Sequence, residues 1–137
     1  MFRRTLVVAL LAPLLMAQGG KPAERPAFGA AQFAGSWSFD RPGRVGGRYF
    51  GSITVDPNGA IASVTTFDGG RVTQGGRLVV SGRQVVFAFE THDLPRERYT
   101  LDRFTCAVDS PQGIDRLRCV NNDGNGPGPA FLLLRQT

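Results

Sequence analysis

A chain of 137 residues, 42% of them hydrophobic and 20% charged, has room for one domain with a small core. Its net charge of +5 comes almost wholly from arginine, scattered along the chain, and no basic stripe is interleaved with stacking aromatics, which argues against a nucleic-acid partner. The single histidine, His92, excludes a multi-histidine metal centre.

The chain opens as an export signal. Arg3 and Arg4 form a positive head, Thr5 to Met16 an apolar stretch interrupted only by Pro13, and Ala17 a small residue for cleavage. Cleavage after Gly19 fits as well. The apolar stretch is shorter than the roughly 20 residues of a spanning helix, and no cysteine follows it to carry a lipid. Removing residues 1–17 leaves 120 residues and a net charge of +3. The expected location is the periplasm or the exterior. Residues 18–32, with two prolines and three glycines, read as a flexible leader, and 33–137 as the folded domain.

From Phe33 onward the hydrophobic period is two. Phe33, Gly35, Trp37 and Phe39 alternate with polar or small residues, the mark of a half-buried strand. A loop over Arg41 to Gly47 leads to a second strand whose inward face is Tyr49, Gly51, Ile53 and Val55. Asp56-Pro57-Asn58-Gly59 predicts a tight turn, because proline presets φ and glycine accepts the left-handed conformation. A third strand runs from Ala60 to Phe67 and stops at Asp68-Gly69-Gly70. Arg71 to Gln74 reads as a short extension broken at Gly75-Gly76. Arg77 to Val80 and Gln84 to Glu90 then pair around Ser81-Gly82-Arg83, with Val85, Phe87 and Phe89 on one face.

After a loop carrying Pro95, Arg98 to Asp109 reads as one long strand whose phase slips, so a bulge is expected near Asp102-Arg103. Ser110 to Gly113 turns the chain, Ile114 to Asn121 returns, Asn122 to Pro129 is a glycine-rich loop, and Ala130 to Gln136 closes the domain. Eight sequential strands with short connections predict an all-β, antiparallel up-and-down barrel, whose closure removes exposed edges and favours a monomer. A two-sheet sandwich is the alternative.

The first strand carries Gly35-Ser36-Trp37, which resembles the Gly-x-Trp signature of lipocalins and the wider calycin group of small barrels. The resemblance implies that a basic residue on the last strand packs over the tryptophan at the closed end, and Arg135 stands at the matching place. An arginine over an indole contributes roughly 0.5–2 kcal/mol. The chain departs from true lipocalins in its length and in having no helix before the last strand. A fold-level resemblance carries no function.

Chemistry-bearing residues are few. In an exported protein Cys106 and Cys119, nearly opposite across the Ser110 to Gly113 turn, predict a disulfide. His92 sits in Thr91-His92-Asp93 with no serine in a nucleophile setting, and reads as an exposed loop residue. Asn121, Asp123 and Asn125 sit at alternating positions like a calcium loop, but Leu132 stands where a bidentate glutamate is required. Asp102, Asp109 and Asp115 read as outward or turn acids.

The expectation is therefore an exported barrel without catalytic residues, metal or cofactor. In one reading it binds a small apolar molecule in a cup lined by Tyr49 (or Phe50), Phe67, Phe87, Phe89 and Phe104. In the other it is an interaction protein, such as an inhibitor of a secreted or periplasmic hydrolase, acting through its leader. Some bacterial metalloprotease inhibitors are barrels of this size with a functional tail.

Overall fold

The computed structural model describes residues 28–108 and 114–137. The export signal, most of the leader, Asp109 and the Ser110 to Gly113 turn lie outside the described residues. The strands are β1 (Gly35–Pro42), β2 (Arg48–Val55), β3 (Ala60–Phe67), β4 (Gly70–Ser81), β5 (Gln84–His92), β6 (Arg103–Val108), β7 (Arg116–Asn121) and β8 (Phe131–Arg135). Each pairs antiparallel with the next, and β8 pairs with β1 to close the barrel. The fold is thus the up-and-down barrel rather than the sandwich.

The N-terminal boundary differs from the sequence reading. Ala30–Phe33 is a 3-10 helix, so the folded unit reaches back into the stretch read as leader. Phe33 does not begin β1. It is fully buried and packs edge-on against Phe28, and its carbonyl accepts a 2.8 Å hydrogen bond from Trp37 Nε1. The helix plugs one end of the barrel. At that end Arg135 pairs in register with Trp37, and its guanidinium lies 4.5 Å from the indole centroid. The same side chain donates to the carbonyls of Gln32, Ala34 and Ile114 at 2.7–2.8 Å.

Two strand boundaries also depart from expectation. Gly75-Gly76 does not break β4. Gly76 pairs with Phe89 and Gly75 with Thr91, leaving Glu90 as an extra residue in a bulge. A Cβ at Gly76 would run into the Ala88 carbonyl, so the strands can approach this closely only with glycine there. The bulge shifts the phase of β5, and His92 comes to face inward beside Gln74 instead of lying in an exposed loop. The second departure is that Arg98–Asp102 is not strand; β6 begins at Arg103, where a bulge was expected. A buried carboxylate, described below, takes that segment out of the sheet.

Cys106 and Cys119 are register partners on β6 and β7 and form a disulfide. Closing a loop of this size contributes about 3 kcal/mol in the chain-entropy model. The oxidised protein is expected to show no reactive thiol, and reduction should lower its unfolding free energy by about that amount. Full thiol titration before reductant is added would contradict the pairing.

Candidate functional site

The barrel is plugged at the Trp37 end, and the candidate site lies at the other. Below it the interior is filled. Phe104 packs against Phe131, Phe39, Phe89 and Phe87, with ring centroids 5.0, 5.5, 5.6 and 6.4 Å away. Phe87, Phe89 and Phe104, expected to line a ligand cup, are therefore core residues. Tyr49 and Phe67 sit higher and line an open cleft of about 240 Å³ at the mouth. Phe50 faces outward, beneath the Arg48 guanidinium. A larger hollow of about 480 Å³ lies against β2–β5, where exposed Ser52, Thr54, Ala62 and Thr73 form an open crease in the outer wall.

The floor of the mouth is polar, and Asp102 organises it. This residue is 3% exposed. Oδ1 accepts from Arg41 Nη2 at 3.3 Å and from Asn121 Nδ2 at 2.9 Å. Oδ2 accepts from Gln74 Nε2 at 2.9 Å and from the Tyr99 hydroxyl at 2.6 Å. Gln74 closes the loop by accepting from the Asp102 backbone N–H, and Asn121 accepts from that of Arg103. Every acceptor direction of the carboxylate is thereby used. Such saturation is what allows a buried charge to be tolerated.

Asp102, expected outward or in a turn, is instead buried at this floor, and Asn121 ends β7. Asn121 points into the barrel toward Asp102, while the Asp123 carboxylate accepts from Thr100 Oγ1 and from the Asn125 backbone N–H. These side chains do not converge on a common centre. Asp115 is exposed beside Arg135.

Arg41 is the second organising group. It is 5% exposed, and its guanidinium carbon lies 4.7 Å from the Tyr49 centroid, with Phe104, Phe131 and Phe39 at 5.3, 5.8 and 6.0 Å. The protein's own cation thus occupies the aromatic cage that a cationic ligand would otherwise take. Its Nε finds no acceptor among the described residues.

Above this floor stands an aromatic wall. Tyr49 and Phe67 stack at 5.7 Å with an interplanar angle of 11°. Tyr99 leans on Phe67 at 5.1 Å and meets His92 edge-on at 6.3 Å. His92 Nδ1 and Ser63 Oγ, on either side of Gln74 in the barrel wall, also lack partners among the described residues.

Burial, reinforced by the negative charge of Asp102, holds the Tyr99 hydroxyl far above the usual phenol range. The folded protein therefore keeps this proton above the ordinary phenol pKa of 10.0, whereas the unfolded chain loses it. Stability contributed by Tyr99 is fully present below pH 10 and falls as pH rises beyond it. Tyr99→Phe should have a lower melting temperature near neutrality but a flatter decline above about pH 10. Parallel slopes for the two proteins would contradict this environment.

No family model and no curated protein matches the chain. Solved structures that share its fold include two barrels. One is a de novo designed fluorescence-activating β-barrel, 18% identical, with a TM-score of 0.56, covering 78% of this chain and 96% of its own. The other is a redesigned β-barrel, 15% identical, with a TM-score of 0.59, covering 82% and 100% respectively. At such identity the likeness is one of architecture: a closed, antiparallel, eight-stranded barrel.

Proposed function

We propose that this chain is an exported, lipocalin-like, non-catalytic barrel that holds a small molecule in the cleft at its mouth. The observation that carries the reading is the mouth itself: stacked, half-buried aromatics above a polar floor organised by the saturated Asp102 carboxylate, on a barrel whose interior is otherwise packed. Stacking rings and fixed polar groups around one concavity are the usual makings of a small-molecule site. A deep apolar cup fits less well, because the aromatics expected to line it pack on one another.

The floor is a poor place for acid–base catalysis. Asp102 has no lone pair to spare, and Tyr99 holds its proton too tightly to act near neutral pH. Export is supported by the N-terminal segment and by the disulfide. Among the described residues no helix is long and apolar enough to cross a membrane. Closure leaves no strand edge free for pairing, which favours a monomer.

The test is a thermal-shift screen with single-ring and two-ring aromatic compounds. A compound present at a hundred times its Kd should raise the melting temperature by roughly 10 °C. Tyr49→Ala and Phe67→Ala should abolish that shift, while Val79→Ser on the outer wall should keep it. Shifts that survive both mouth variants would reject the site.

A further inference from the structure

Resting on that reading of the mouth, we infer that its ligand is a small, flat organic anion: an aromatic ring system carrying a carboxylate or a comparable acid group. The cleft is lined by guanidinium groups from separate parts of the chain. Arg41 forms the floor, Arg44 comes from the loop between β1 and β2, and Arg96 and Arg98 come from the loop between β5 and β6. Of the three rim arginines, Arg98 is anchored by its Nη2, which donates to the Gly69 carbonyl at 2.8 Å. None of the three has an ion-pair partner among the described residues.

Three carboxylates share the lining. Asp102 is saturated by its four side-chain donors, and Asp123 already accepts from Thr100 and Asn125. Glu97, the third, stands between Arg96 and Arg98 in the chain. The four arginines of the cleft thus outnumber its three carboxylates, and Arg41 Nε, buried at its base, is a donor with no acceptor among the described residues. A ligand that brings an acid group supplies what is missing, through charge-assisted hydrogen bonds that arginine makes best.

Shape defines the rest of the molecule. The Tyr49–Phe67 pair offers a flat wall suited to a ring. A cleft of about 240 Å³ is the space of roughly eight waters at ~30 Å³ each, enough for one or two fused rings and too little for a long lipid tail.

Three probes of one shape separate charge from stacking: naphthoate, naphthylmethanol and naphthylmethylammonium, titrated into the purified protein by calorimetry at low and high salt. Naphthoate should bind at least about tenfold more tightly than either analogue, and its advantage should shrink as salt rises. Arg96→Gln combined with Arg98→Gln should cut that preference to about threefold or less, with the alcohol's affinity changing by no more than about twofold. Tyr49→Ala should weaken all three. Binding of the alcohol or the ammonium as tight as that of naphthoate would overturn the inference while leaving the mouth site standing, as would a preference untouched by the arginine substitutions. Failure of every probe, or binding indifferent to Tyr49→Ala, would reject the mouth site and this inference with it.

Discussion

Asp102→Ala is expected to destabilise the barrel by about 3–5 kcal/mol, because it strips the shared acceptor from a buried cation and three neutral donors at once. Arg41 would be left as a charge in an aromatic cage, and Gln74, Asn121 and the Tyr99 hydroxyl would each lose their bond. Against a total stability of about 5–15 kcal/mol for an ordinary domain, that loss is large. Arg41→Met should cost less, since neutral donors still hold the carboxylate and the thioether can pack among the rings. Denaturant unfolding with an unchanged slope would measure both. A loss below about 1 kcal/mol for Asp102→Ala would mean the carboxylate is solvated and the network absent.

Arg135→Ala should cost about 3–4 kcal/mol, summing the lost stack on Trp37 with charge-assisted bonds to carbonyls. Those carbonyls belong to Gln32, Ala34 and Ile114, so one side chain ties the entering chain, the plug and the β7 side of the barrel together. Trp37 is fully buried, and its emission should shift to the red as water reaches the seam. Arg135→Lys should recover little, because an ammonium cannot reproduce the planar fork. Arg71→Ala, on the exposed face of β4, should change stability by less than about 0.5 kcal/mol. Equal and small effects from Arg135→Ala and Arg71→Ala would contradict the seam.

The strands and their order were legible because half-buried strands must alternate, and because Asp56 to Gly59, Asp68 to Gly70 and Ser81 to Arg83 are strong turn signals. The Trp37–Arg135 seam and the disulfide followed from where the first and last strands, and a hairpin, must meet. The mouth was harder to read. Its decisive groups are polar residues at inward positions: Arg41 continues the phase of Trp37 and Phe39, Gln74 that of Val72, and Asn121 that of Leu117 and Cys119. A polar residue on the inward phase of three strands is a signal, obscured at Arg41 because the proline and glycines that follow it mark a loop. Asp102 continues the phase of Phe104 and Cys106, but the bulge expected at Asp102-Arg103 hid it, and its segment leaves the strand to meet partners from β1, β4 and β7. Nor does alternation show that Glu90 bulges and turns His92 inward, because a bulge belongs to the pairing of two strands.

A binding cleft at the mouth above a filled interior is tested by backbone amide chemical-shift mapping during a naphthoate titration. Shifts should concentrate on the cleft residues from Arg41 to Tyr49, around Phe67, from Arg96 to Asp102 and from Asn121 to Gly128. Amides around Phe87, Cys119 and Trp37 should stay still. Shifts centred on those core and seam residues, or spread over the outer wall, would contradict it.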